Sequence, residues 1–115
     1  MSRAETNLPP NAPPLQVELL YFDGCPSYQT VWNDLLEVVR EHDLDVTVRP
    51  IKVGTLEKAD ALHFAGSPSV TVNGVDLEYY EGAGVLACRV YRENEGRGYP
   101  SRKLLRERLT ESRLP

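Results

Sequence analysis

The sequence contains no long apolar run and only two cysteines. A transmembrane helix needs about 20 consecutive, mainly apolar residues, and no stretch here approaches that length. The first residues include one arginine and no apolar segment, so they lack the pattern of a secretory signal. Two cysteines cannot form the disulfide framework that is typical of small secreted domains. We therefore expect a cytoplasmic protein with no membrane partner.

Motifs for nucleotide binding, serine hydrolysis and zinc binding are also missing. The chain has no Gly-rich phosphate loop, no Walker motif and no G-x-S-x-G elbow. The histidines, His42 and His63, are separated by a whole predicted element, and neither has cysteine or carboxylate neighbours at zinc-ligand spacing. These absences argue against a phosphate loop, a serine nucleophile and a histidine-based zinc site.

The composition fits a single domain. The 115 residues are 41% hydrophobic and 26% charged, which is ordinary for a globular chain of this size. Residues 1–14 are rich in proline and poor in apolar side chains, which predicts a disordered tail before a domain at 15–115. Basic residues concentrate near the end, but from Arg102 they alternate with leucines at helical spacing. That pattern indicates a solvated helix face, so we expect no nucleic-acid partner.

Hydrophobic periodicity predicts the element order β-α-β-α-β-β-α. The first β-α-β unit should pair two parallel strands, and the last two strands should be antiparallel. The sequence therefore predicts an α/β fold with a mixed four-stranded sheet flanked by helices. The expected strands are 15–22, 46–51, 69–72 and 85–91, and the expected helices begin at Pro26, Thr55 and Pro100.

Cys25 lies where the first strand gives way to the first helix, between Gly24 and Pro26. A thiol in the first turn of a helix is close to the positive end of the helix dipole, which favours the thiolate. The carboxylate of Asp23 would oppose ionisation, as would burial beside Tyr28. Two interpretations follow from the residues: a reactive thiol with Pro26 starting the helix, or a buried structural cysteine.

A second short segment, Gly66-Ser67-Pro68, runs directly into the predicted third strand. With Gly24-Cys25-Pro26 it resembles the thioredoxin superfamily, in which a helix-start cysteine faces a cis-proline loop. The resemblance implies a thioredoxin-like fold, Cys25 as nucleophile and Pro68 as its cis-proline companion. Tyr28 stands where the dithiol motif has its second cysteine. A local disulfide cycle is thereby excluded, and either an external thiol or a distant one would resolve the mixed disulfide.

The run from Pro68 to Gly74 is also similar to the glutaredoxin segment of cis-proline, short strand and Asn-Gly turn. In that family the residue before the proline offers backbone hydrogen bonds to the cysteinyl group of glutathione. Ser67 occupies this position. The resemblance therefore implies that Ser67 orients a bound thiol and that glutathione is a candidate co-substrate; no other cofactor is indicated.

Cys88 falls in the predicted fourth strand, and a hairpin closed after Gly74 would place it roughly opposite Val70. A strand cysteine is commonly a small core hydrophobe. The alternative is a second thiol that pairs with Cys25, because this register brings it toward the same end of the sheet. The residues leave both interpretations open.

Two thiolates select soft metals such as Hg(II). Cys25 and Cys88 with Asp23 contain the ingredients of the organomercurial lyases, in which two cysteines bind mercury and an aspartate takes part in protonolysis. The segments 20–26, 66–76 and 88–91 also resemble a family of small bacterial thioredoxin-like proteins that are sometimes labelled alkylmercury lyase. That resemblance implies Cys25 and Cys88 as the mercury ligands.

The sequence thus predicts thiol–disulfide exchange on a thiol or disulfide substrate, a protein or a small molecule. Two alternatives stand beside it: a mercury or organomercurial protein, and a redox-inactive binding module. The candidate site residues are Cys25, Ser67, Pro68 and Cys88, with Asp23, Pro26 and Tyr28 in support.

Overall fold

The computed structural model describes residues 14–111. The predicted tail therefore lies outside the described residues except for Pro14. The strands are β1 (Leu15–Tyr21), β2 (Val46–Lys52), β3 (Ser69–Val72) and β4 (Val75–Asp76), and the α-helices are α1 (Tyr28–Glu41), α2 (Leu56–Ala61) and α3 (Arg102–Glu111).

The four strands form one mixed sheet in the order β2-β1-β3-β4. β1 and β2 are parallel and are connected through α1, whereas β3 is antiparallel to both β1 and β4. The predicted α/β class and the β-α-β-α-β-β-α order are confirmed. This arrangement places the ends of β1 and β2 beside the start of β3, where the candidate residues lie.

Alternating side chains of β1 fill two separate layers of core. Val17 and Leu19 face α1 and α3, whereas Leu20 faces the layer beneath α2. The predicted apolar stripe of α1 is buried through Val31 and Leu35. The larger of these cores also contains three leucines of α3, which are Leu104, Leu105 and Leu109.

The α2 helix follows its sequence signals closely. Thr55 is the N-cap, and its hydroxyl accepts a hydrogen bond from the Lys58 N–H at 3.1 Å. Such a cap satisfies one of the N–H groups that a helix start leaves without a partner.

Within residues 14–111, no helix has both the length and the apolar character needed to cross a bilayer.

The prediction of a strand at 85–91 is wrong. The fourth strand is instead the short β4, because the Asp76 carboxylate accepts the backbone N–H groups of Glu78 and Tyr80 and turns the chain away from the sheet. Residues 85–91, here called the crossing segment, take part in two isolated bridges: Cys88 pairs with Ser67 in parallel, and Tyr91 pairs with Arg97 in antiparallel. The apolar residues that suggested a strand, Val85, Leu86 and Val90, are exposed.

Candidate functional site

A tight turn after β1 positions Cys25. The Cys25 N–H donates to the Phe22 carbonyl oxygen at 3.3 Å, and Gly24 has a φ of 83°. A turn with a positive φ at its third position favours glycine, because residues with a side chain rarely adopt that backbone conformation. The thiol of Cys25 is half-buried, so a fully buried structural cysteine is the wrong description.

The helix begins later than predicted. α1 starts at Tyr28 with Ser27 as its N-cap, so Cys25 and Pro26 precede the helix. The Cys25 carbonyl accepts from the Tyr28 N–H at 3.4 Å, which adds a turn ahead of the helix. The field of a helix dipole falls off within about one turn. Cys25 therefore receives less of it than a residue inside the first turn would.

Tyr28 belongs to an aromatic row at the start of α1. Its ring centroid lies 4.4 Å from that of Tyr21 and 6.4 Å from that of Trp32. Aromatic pairs at such distances contribute about 0.5–1.5 kcal/mol beyond the area they bury. The residue in the position of a second cysteine thus packs the helix start against β1.

The Gly66-Ser67-Pro68 loop lies directly against the turn that carries Cys25. The Ser67–Pro68 peptide bond is cis. The Ser67 hydroxyl accepts a hydrogen bond from the Phe22 N–H at 3.3 Å, and Ser67 itself is buried. The two segments singled out in the sequence therefore meet in the structure through this side chain.

The crossing segment already uses the backbone of Ser67. The Ser67 N–H donates to the Ala87 carbonyl at 2.9 Å, and the Ser67 carbonyl accepts from the Arg89 N–H at 2.9 Å. The hydrogen bonds that glutaredoxins offer to glutathione at this position are thus made within the chain. What Ser67 contributes to the loop is its hydroxyl, which contacts the Cys25 turn.

Cys88 does not lie opposite Val70. Val70 pairs with Leu19 in the sheet, whereas the bridge partner of Cys88 is Ser67. The side chain of Cys88 is exposed, so the core-hydrophobe interpretation is wrong. Both cysteines carry free thiols on segments that meet at Ser67.

A buried ion pair that the sequence did not suggest fixes the crossing segment. Arg89 donates to both carboxylate oxygens of Asp76, at 2.7 and 2.8 Å, and to the Ser69 hydroxyl at 2.8 Å. Its guanidinium lies 4.5 Å from the ring centroid of Tyr91, and the Tyr91 hydroxyl donates to the Pro68 carbonyl at 2.6 Å. In the sequence, the one indication of this buried pair is a single arginine within an otherwise apolar run.

The charges of this network shift two pKa values. Burial lowers the pKa of Arg89, but its hydrogen bonds and the charge of Asp76 raise it more, and the net shift is upward. Burial raises the pKa of Tyr91 above its ordinary value, against the opposing charge of Arg89. The arginine stays charged and the phenol stays neutral across the physiological range.

Asp23 is paired with a basic residue from the next strand. Lys52 Nζ lies 2.7 Å from Asp23 Oδ2, and both side chains are exposed. The hydrogen bond and charge of Asp23 raise the pKa of Lys52. Lys52 is the register partner of Tyr21 in β2, so the parallel pairing brings it to the Cys25 turn. The lysine offsets the negative charge of Asp23 in the Cys25 turn.

An open groove of 530 Å³ adjoins the Cys25 turn. Phe22, Val53 and Leu86 give it apolar walls, and the Asp23–Lys52 pair lies at its edge. Across residues 14–111, no group of three or more histidine, cysteine, aspartate or glutamate side chains is arranged to hold a metal ion. Within residues 14–111, the site thus combines the Cys25 thiol, an apolar groove and the Asp23–Lys52 ion pair.

Comparisons with known proteins support the fold. No protein-family model matches the chain, and no curated protein matches it. The structure is similar to the crystal structure of a selenoprotein W-related protein from Vibrio cholerae, with a TM-score of 0.50. The two sequences are 18% identical, and the match covers 86% of this chain and 96% of that chain. The likeness shows a thioredoxin-like fold and gives no support to the alkylmercury lyase resemblance.

Proposed function

We propose that the protein carries out thiol–disulfide exchange with Cys25 as its nucleophile. The observation that carries the proposal is the hydrogen bond from the Phe22 N–H to Ser67 Oγ, which holds the cis-proline loop against the Cys25 turn. In this reaction the Cys25 thiolate attacks one sulfur of a substrate disulfide, and the other sulfur leaves as a thiolate. Such chemistry suits the reducing cytoplasm, which we propose as the compartment.

The substrate class follows from the groove beside the turn. Its apolar walls suit an apolar side chain next to the substrate disulfide, and its rim offers one charge of each sign. Because the Ser67 N–H is already bonded to Ala87, glutathione would lack the backbone contact that glutaredoxins provide. We therefore propose a disulfide flanked by apolar groups, as in a peptide, ahead of glutathione.

The first test compares the thiol reactivity of the folded and unfolded chain. Iodoacetamide alkylation at neutral pH, with mass spectrometry assigning each cysteine, should show Cys25 reacting faster in the native protein than in urea. A folded environment that stabilises the thiolate raises this rate. A native rate at or below the unfolded one would contradict the proposal and favour the redox-inactive binding module.

The second test measures turnover. The wild-type chain should accelerate reduction of an apolar peptide disulfide by dithiothreitol, and Cys25→Ser should return the rate to that of dithiothreitol alone. Val90→Ser is the matched control, because Val90 is 62% exposed. We expect this variant to retain the wild-type rate. Unchanged turnover in Cys25→Ser would end the proposal.

The mercury alternative has one observation in its favour, which is that both thiol-bearing segments contact Ser67. It has one against it, because the Asp23 carboxylate is paired with Lys52 rather than held ready to take part in protonolysis. Its test is titration with Hg(II) against a competing thiol. Equal affinity in the wild-type chain and in Cys88→Ser would exclude a two-thiol mercury site.

A further inference from the structure

Cys88 is held on a backbone that cannot move independently of the cis-proline loop. Ala87 and Arg89, its two neighbours, both hydrogen bond to the backbone of Ser67. Arg89 is further fixed by its buried pair with Asp76. Gly66 allows this close approach, because a Cβ there would lie only 2.9 Å from the Ala87 carbonyl oxygen. The position of Cys88 relative to Ser67 is therefore set by the fold.

Residues 88–91 of the crossing segment alternate between exposed and buried side chains. Arg89 and Tyr91 are buried, whereas Cys88 and Val90 are exposed. In extended chain, successive residues point to opposite sides. The thiol of Cys88 is thus directed away from the Arg89–Asp76 pair and toward the accessible side.

The crossing segment and the Cys25 turn are near each other at two places. At one end, Leu86 lines the same groove as Phe22 and Asp23. At the other end, a Cβ on Gly98 would lie 2.9 Å from Ser27 Oγ and 3.8 Å from the Arg89 carbonyl oxygen.

The shared groove and the position of Gly98 between Ser27 and Arg89 indicate an approximate register between the segments. Phe22–Asp23 corresponds to Leu86, and Ser27 corresponds to Arg89. Between those positions, Cys25 lies two residues before Ser27, and Cys88 lies one residue before Arg89.

From this register we propose that Cys88 is the resolving thiol for Cys25. The assignment rests on the proposed exchange reaction and extends it. The Cys25 thiolate first attacks a substrate disulfide, forms a mixed disulfide and releases one substrate thiolate. Cys88 then loses its proton to water and attacks Cys25 Sγ, which releases the second substrate thiolate. The substrate gains two electrons and the two cysteines lose two, leaving a Cys25–Cys88 disulfide that an external dithiol reduces.

The experiment uses the full chain with 5,5′-dithiobis(2-nitrobenzoate) as the disulfide probe. The reduced wild-type chain should release two equivalents of the coloured thiolate and retain none of the reagent by mass spectrometry. The second release should be independent of reagent and protein concentration, because it occurs within one chain. Cys88→Ser should release one equivalent and retain the adduct on Cys25.

A displaced thiol provides the matched control. The double variant Cys88→Ser, Val90→Cys keeps an exposed thiol on the same side of the crossing segment, two residues along. In this variant we expect the second equivalent to come from reaction of the reagent with the introduced thiol itself, at a rate that depends on reagent concentration. Both cysteines should then retain their adducts. Cyclisation as fast as in the wild-type chain would show that position 88 has no special relation to Cys25.

The outcomes separate the two proposals. If Cys25 reacts rapidly but the wild-type chain keeps an adduct on each cysteine, the exchange reaction stands and the role of Cys88 is overturned. If Cys25 is no more reactive than in unfolded chain, both proposals fail. Loss of the adduct from wild-type Cys25, with retention in Cys88→Ser, supports both.

Discussion

Ser67 accepts a hydrogen bond from the backbone N–H of Phe22 at 3.3 Å, and this contact joins the cis-proline loop to the turn that carries Cys25. Ser67 is almost completely buried, with 1% of its surface exposed. Its own N–H and carbonyl are bonded to the crossing segment. One small residue thus contacts both segments that bear a thiol.

Replacing Ser67 with alanine should weaken the protein and slow its thiol chemistry. The substitution leaves the Phe22 N–H without its acceptor, at a cost of about 1–2 kcal/mol in the free energy of unfolding. The Cys25 turn should then be held less firmly, and its reaction with disulfides should slow. Urea unfolding and the rate of Cys25 labelling measure the two effects. Thr30→Ala removes an exposed hydroxyl on α1 and serves as control.

Removing the Asp76 carboxylate from the buried Arg89 should strongly destabilise the fold. Asp76→Asn removes the carboxylate that accepts from both guanidinium nitrogens and leaves Glu78, at 3.1 Å, as the remaining carboxylate partner of Arg89. Breaking a buried pair in this way costs about 3 kcal/mol or more. Arg97→Met removes an exposed ion pair with Glu95 and should change the unfolding free energy by less than about 1 kcal/mol. Urea unfolding of both variants tests the contrast. Similar losses in the two would show that burial does not distinguish them.

Tyr91 should make stability depend on pH in the alkaline range. Its pKa is raised above the ordinary value of 10.0, so the folded chain retains the phenolic proton after the unfolded chain has lost it. The stabilisation is complete below pH 10 and declines as the pH rises from there toward the folded pKa.

Tyr91→Phe removes this titration and the hydrogen bond to the Pro68 carbonyl, so the free-energy difference between wild-type and variant should shrink above pH 10. Chemical denaturation at several alkaline pH values provides the measurement. A difference that stays constant would show that the phenol does not titrate differently in the two states.

Lys52 should assist Cys25 through Asp23. In Lys52→Met the negative charge of the Asp23 carboxylate is no longer offset. Alkylation of Cys25 should therefore slow by roughly twofold to fivefold at low salt. The effect should fade at high ionic strength, because exposed charges are screened. Adding Asp23→Asn should restore the rate. Lys103→Met, which removes an exposed lysine paired with Glu107 on α3, is the control and should leave the rate unchanged.

Parts of the fold and of the candidate site followed from local chemistry alone. The turn before α1 needs glycine at position 24, and the Thr55 cap needs only its own hydroxyl. The stripe on α1 depends only on helical spacing. The strand predicted at 85–91 failed for a specific reason, since Val85, Leu86 and Val90 gave it an apolar pattern that the fold leaves exposed.

The sequence by itself determined the α/β class, the order of the elements and the two segments that carry Cys25 and Pro68, because these depend on periodicity and turn chemistry within short stretches. Only the tertiary structure decided where Cys88 lies and how Arg89 and Lys52 are paired. Those positions depend on contacts between residues far apart in the chain. The carboxylate of Asp76 bends the chain off the sheet and also binds Arg89. No local pattern encodes that pairing, and it brings the second thiol to Ser67.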